Sequence, residues 1–353
     1  MMRIISPVQV NGSHVGAVAF VCANMARSIT RAFPDSKTYV FSSGGKVARL
    51  WRSISLVWRM LWWLCCGDTI VWMYPTILLY PAMSYLKYWV ASAAYGLIWF
   101  LHKHTRGKLA LVILDMPKEQ EESFGLKRIR ISYDRFLRFE NRLLTSVDKI
   151  VYCSRGFQEL VDARGLSLTE DVAVCAIGYA EKKNIERSNT ITRVFYSGEL
   201  TREYEKNKLL EICNVLTDQE ELVVCGRNGA WLNELNNPHV CYKGYVDART
   251  HDAIAAQCDF GLIVYPDSGY YQYVTPSKLN AYVSMGLPAL AIANRTLRDV
   301  FANYRVGQCV EEEEFLTVFK QWCSDKTYRA YQAYYDAEDY YARYVCDIQK
   351  ALA

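Results

Sequence analysis

Residues 258–293 read CDFGLIVYPDSGYYQYVTPSKLNAYVSMGLPALAIA, and their order decides the fold class. Residues 260–265 form a short apolar run of the kind that makes a buried parallel strand. Residues 266–274 follow as a loop, with Asp267-Ser268-Gly269 as turn formers. Thr275-Pro276 then predicts a helix start, Thr at the N-cap and Pro at the first helical position. Gly286 fits the position after the helix, Pro288 forbids continuation, and residues 289–293 return as an apolar strand. In a strand–loop–helix–strand unit of an open parallel sheet, ligands bind beyond the carboxyl ends of the strands. Free N–H groups at the helix start suit phosphate there, and Lys278 in the first turn adds a positive charge. The unit predicts an anion site.

The same alternation runs through the whole chain. Strands are expected at residues 3–8, 37–41, 69–73, 109–114, 149–153 and 172–176, with helices at 15–33, 78–104, 133–147 and 154–164. The polar, aperiodic segment 180–190 predicts a domain boundary. A second series follows, with strands at 193–196, 222–225, 240–243, 260–265 and 289–293. Helices are expected at 206–217, 229–235 and 249–257. Glu311–Glu314 reads as a solvated helix start, and residues 315–353 read as entirely helical. The expectation is an α/β protein with largely parallel sheets.

Composition narrows the class. The chain has 353 residues, enough for two domains, and is 51% hydrophobic and 22% charged, which excludes a disordered chain. A net charge of +4 is too modest to imply nucleic acid, whose binders normally show a stripe of clustered Lys and Arg interleaved with aromatics. None of the 12 cysteines forms a C-x-x-C pair and no histidine stands at zinc-finger spacing, so no metal is expected. Scattered thiols such as Cys22, Cys153 and Cys225 suit a reducing cytoplasm. The N-terminus begins like a first strand and has no signal-peptide core.

Several second-half segments meet at one sheet edge: Ser197-Gly198 followed by Arg202, Lys206 and Lys208; Gly226-Arg227; Gly244-Tyr245; and Tyr265-Pro266. Glycines there admit close approach to the backbone, and Arg and Lys supply phosphate partners. Each alone is an ordinary strand-to-helix turn. Together with Thr275, Pro276, Ser277 and Lys278 they describe a binding edge.

This ordered set resembles the nucleotide-sugar domain of GT-B glycosyltransferases. The string Pro276-Ser277-Lys278-Leu279-x-x-Tyr282-x-x-x-Gly286-Leu287-Pro288 is similar to the P-x-K-L-x-x-Y-x-x-x-G-x-P signature of their bacterial galactofuranosyltransferase-like and glucosyltransferase-3-like members. The resemblance spans roughly residues 193–310; the first half resembles the family only in outline. It implies two Rossmann-like domains facing across a cleft: an acceptor domain at 1–180 and a donor domain at 191–325. A C-terminal helix at 326–353 would pack back on the first. It also implies a UDP, GDP or dTDP sugar donor, held by Gly198, Arg202, Lys206, Arg227, Tyr245, Tyr265 and residues 275–278. The acceptor would be a glycan, lipid-linked sugar or protein of a bacterial surface. Asp115 is the candidate base, or an acceptor-positioning carboxylate, and equally a turn former before Met116-Pro117. His14 and the loop Asn11-Gly12-Ser13 are candidate sugar or acceptor contacts. Stabilisation of the leaving diphosphate would fall to fixed cations and the helix start, without a metal or other cofactor.

One departure changes the site. Many retaining members carry two glutamates eight positions apart around this helix start; here those positions are Tyr273 and Ala281. A methyl group cannot accept a hydroxyl, so ribose recognition by a glutamate at position 281 is excluded, and Asn280 or a backbone group is the substitute. A nucleotide-sugar epimerase and a catalytically silent subunit of the same fold are the rival readings, and homo-oligomer formation is left open.

Residues 51–66 and 78–104 raise the membrane question. Lys87 interrupts the second and two arginines the first, so neither is expected to span. Packing on the first sheet and lying at the inner face of a membrane are both open.

Overall fold

A computed structural model describes residues 1–7, 17–40, 46–75, 85–127, 129–175, 190–332 and 339–353. The chain divides into two compact units, Met1–Cys175 with Tyr344–Ala353, and Ala176–Arg343.

The first unit holds a six-stranded, wholly parallel sheet, β1 (Met2–Ser6), β2 (Lys37–Val40), β3 (Thr69–Tyr74), β4 (Lys108–Ile113), β5 (Lys149–Tyr152) and β6 (Asp171–Ala173). Its order is β2-β1-β3-β4-β5-β6. The helices are α1 (Ala17–Ala32), α2 (Lys46–Cys65), α3 (Tyr85–His104), α4 (Pro117–Phe124), α5 (Tyr133–Leu144) and α6 (Arg155–Asp162). Central strands such as Ile70-Val71-Trp72-Met73 are buried on both faces, which is why they read as unbroken apolar runs. Ser154 caps α6 by accepting from Gly156 N–H at 3.2 Å.

The second unit repeats the architecture with β7 (Thr192–Ser197), β8 (Glu220–Cys225), β9 (Val240–Tyr242), β10 (Phe260–Ile263), β11 (Ala289–Ile292) and β12 (Gly307–Val310). They pair in parallel in the order β12-β11-β10-β7-β8-β9. Around them lie α7 (Glu203–Cys213), α8 (Trp231–Glu234), α9 (Ala248–Ala255), α10 (Ser277–Ser284), α11 (Arg295–Asn303) and α12 (Phe315–Asp325). Phe315, Phe319 and Trp322 stand at i, i+4 and i+7 on α12 and bury one stripe against the sheet, where Phe260 meets the Trp322 ring at 5.0 Å. The Trp322 indole N–H is satisfied by Gln308 Oε1 at 3.0 Å.

The tail corrects two expectations. Residues 315–353 are not one helix. Lys326, with φ 52°, ends α12 in the left-handed region, and α13 (Tyr340–Leu352) starts afresh. Glu311–Glu314 is not a merely solvated start: Glu312 takes Lys208 at 2.8 Å and the Tyr204 hydroxyl at 2.7 Å, and Glu311 takes Arg298. Within the first unit, the buried Tyr344 of α13 donates to Met25 Sδ at 3.1 Å.

Candidate functional site: a lysine at the switch point of the second sheet

The second sheet reverses its winding between β7 and β10. From β7 the chain moves out to β8 and β9, then returns to the other side of β7 and moves out again to β11 and β12. In such sheets the crevice beyond the carboxyl ends of the two strands at the reversal is where a ligand fits. Gly198 follows β7, Tyr265 follows β10, and α10 begins between β10 and β11.

Tyr282 fixes α10 against that edge. Its hydroxyl donates to Leu262 carbonyl at 3.1 Å and accepts from Ser197 N–H at 3.4 Å, linking the helix to both switch-point strands. The ring lies so close over β10 that a Cβ on Gly261 would stand 2.5 Å from it. At the far end the chain closes in a Schellman turn: Leu287 N–H bonds to Tyr282 carbonyl at 2.9 Å, Gly286 N–H to Val283 at 3.0 Å, and Gly286 takes φ 61°.

The helix start differs from the sequence expectation. Pro276, with φ −61° and ψ 129°, occupies the cap position, Ser277 is the first helical residue, and no side chain caps the end. The pyrrolidine ring fixes only φ, and at ψ 129° Pro276 is extended, so the helix begins one residue later than Thr at the N-cap requires. Thr275 Oγ1 is buried and has no hydrogen-bond partner among the described residues.

Lys278 lies in the first turn of α10 and is only 8% exposed. Its ammonium sits 4.1 Å from the ring centre of Tyr196 and 4.9 Å from that of Tyr265. A Cβ on Gly198 would come within 3.0 Å of Nζ, so the glycine is what leaves that space to the ammonium. Among the described residues, Nζ has no carboxylate within ion-pair distance. Burial therefore pulls its pKa down from 10.5 to about 8, with Glu205 opposing the shift and Arg202 adding to it.

Below the lysine lies a buried polar hub that the sequence reading missed. Glu205, 2% exposed, accepts from the Tyr271 hydroxyl at 2.7 Å and the Tyr196 hydroxyl at 3.3 Å, with Arg202 Nη1 at 3.5 Å. Arg202 also donates to the Tyr271 hydroxyl, and Tyr265 packs on Tyr271 with ring centres 4.4 Å apart. Burial pushes the tyrosine hydroxyls up, so they stay protonated donors. One signal was available. On α7, Glu205 stands four residues before Leu209 and seven before Ile212, on the buried stripe of the helix.

The other candidates are arranged differently. Gly226 passes so close to Gly198 that a Cβ would stand 1.8 Å from the Gly198 carbonyl, which packs the two loops together. Arg227, just beyond, stacks on Tyr245 at 4.2 Å. Lys206 lies over Trp231 at 5.1 Å, and Lys208 is taken by Glu211 and Glu312. In the first unit, Asp115 accepts from Met116 N–H and from the Gln120 amide, both at 3.0 Å. Asn11, Gly12, Ser13 and His14 lie outside the described residues. Of the remaining histidines, His251 packs on Phe195 at 5.2 Å and His102 faces Asp148 at 3.3 Å. Among the described residues no group of three His, Cys, Asp or Glu is placed to hold a metal ion.

No protein-family model matches the chain, and no curated protein is similar to it in sequence. Solved structures are similar in fold. HepE from Anabaena, crystallised with UDP, superposes with a TM-score of 0.63 at 12% identity over 99% of both chains. The apo lipopolysaccharide outer core galactosyltransferase WaaB gives 0.60 at 13% identity over 99% of this chain and 98% of that one. Sucrose-phosphate synthase from Thermosynechococcus elongatus gives 0.62 at 11% identity over 99% and 97%. The chain has the GT-B fold. In that GT-B architecture, Lys278 and its aromatic walls belong to the second of two α/β units, each built on a parallel six-stranded sheet.

Proposed function

We propose that this chain is a glycosyltransferase that uses a nucleoside diphosphate sugar, held at the switch point of its second unit. The observation that carries the reading is the buried Lys278 ammonium, set in the first turn of a helix with no side-chain cap and facing aromatic rings in place of a carboxylate. A charge so placed is destabilising in the free protein and gains most from an anion that brings its own oxygens. Glycosyl transfer needs exactly this kind of partner: as the C1–O bond breaks with oxocarbenium character, negative charge collects on the departing diphosphate. Lys278, Arg202 and the N–H groups of α10 would stabilise it, with Glu205 orienting Arg202 and keeping Lys278 charged. UDP is the first nucleotide to test, because HepE was crystallised with UDP and with UDP-glucose. The reading extends to metal-independent catalysis and to a glycan, lipid-linked or protein acceptor of a bacterial surface. Those parts rest on the sequence resemblance.

The experiment is nucleotide release measured against a panel of UDP-, GDP- and dTDP-sugars, with and without EDTA. Release from one donor that persists in EDTA is expected. A strict Mg²⁺ requirement would overturn the metal-free part. Interconversion of the sugar without release would mark an epimerase, and no turnover of any donor a silent GT-B subunit.

A further inference from the structure

Helices α2 and α3 bury one face and leave the other unusually apolar. On α2, Leu56, Met60, Trp63 and Leu64 are buried, while Trp51, Trp58 and Trp62, at i, i+7 and i+11, are 66, 68 and 69% exposed. On α3, Tyr95, Ile98 and Trp99 are buried, while Trp89, Leu97 and Phe100 form the exposed stripe. The two helices pack against each other. Soluble surfaces rarely display this many large aromatics on neighbouring helices without a partner.

Charge says which partner. Residues 46–106 contain seven Lys and Arg and a single acidic residue, Asp68. Asp68 is buried and paired with Arg3 at 2.8 Å, so it does not offset the surface. Arg52 and Arg59 flank the tryptophan stripe of α2, and Lys103 follows Phe100 at the end of α3, all exposed. Indole rings beside guanidinium and ammonium groups match the boundary of a bilayer, where the rings sit among headgroups and the cations meet lipid phosphates. Among the described residues no helix is long and apolar enough to cross a membrane. A helix pair carrying this stripe lies on a surface instead.

We propose that the exposed face of α2 and α3 docks the protein on an anionic lipid bilayer. This holds whether or not the chain transfers sugar. The test is co-sedimentation of the full chain with vesicles of phosphatidylcholine alone and of phosphatidylcholine mixed with phosphatidylglycerol, with sedimentation velocity on the same samples without lipid. Binding to the mixed vesicles, weakened by salt, is expected. Trp58→Ser with Trp62→Ser should abolish it, and Arg52→Ala with Arg59→Ala should weaken it about thirtyfold. All four positions are exposed, so unchanged circular dichroism and thermal unfolding are expected in both variants. No binding to either vesicle would overturn the proposal. So would a dimer without lipid that the tryptophan variant dissolves, because the stripe would then be covered by a second copy.

Discussion

Lys278 is held charged at a cost. Its pKa of about 8, against 10.5 when free, corresponds to about 3 kcal/mol of destabilisation at neutral pH. The sign follows from proton counting. Between pH 8 and 10.5 the unfolded chain binds more protons at this position than the folded one, so stability rises with pH through that window. Lys278→Met, which keeps the length and removes the charge, should therefore raise the thermal midpoint at pH 7. Its advantage over the wild type should shrink steadily above pH 8. Melting curves of both proteins across pH, without nucleotide, check this; a variant less stable than wild type at pH 7 would show that the ring contacts outweigh the burial penalty. A functional charge kept against stability is the pattern expected of a binding residue.

At the scale of elements, α10 is positioned by one tyrosine and one glycine. Gly261→Ala would set a methyl 2.5 Å from the Tyr282 ring, whose hydroxyl is tied to both β7 and β10. The ring cannot swing away without losing those bonds, so a loss near the upper end of the usual range for overpacking, about 3 kcal/mol, is expected in denaturant unfolding. An unperturbed midpoint would mean that α10 tolerates displacement. This element was legible in the sequence, because Gly286-Leu287-Pro288 can close a helix in few ways. Its start was not: Thr275-Pro276 looks like an N-cap and a first helical residue, and only the observed ψ of Pro276 moves the boundary to Ser277. Glu205 was hidden for a different reason. It stands in the charged run Glu203-Tyr204-Glu205-Lys206-Asn207-Lys208, which reads as a solvated face, and of its partners Tyr196 lies on the preceding strand while Tyr271 comes 66 residues later. Position on the buried stripe of α7 distinguishes it from its neighbours.

Across the whole molecule, the parallel sheets were readable because strands buried on both faces leave unbroken apolar runs. The break at Lys326 was not, since the amphipathic run 315–325 before it and the tyrosine-rich segment after it carry no glycine or proline to mark a helix end. The end of the chain belongs with the first unit, to which Tyr344–Ala353 contribute the fully buried Ile348. Ile348→Ala should cost about 2–5 kcal/mol and lower the unfolding transition of the first unit while leaving that of the second in place. Calorimetric scans resolve the two; a shift confined to the second transition would contradict the assignment. The fold reports no substrate by itself, since one architecture serves many chemistries.

The claim that Lys278 and the start of α10 grip a diphosphate is tested most directly by calorimetric titration of UDP into the wild type and into Lys278→Met at pH 7. The account predicts measurable binding to the wild type and a loss of about 1.5–3 kcal/mol in the variant, the worth of a hydrogen bond to a charged group. Equal affinities in the two proteins would contradict it.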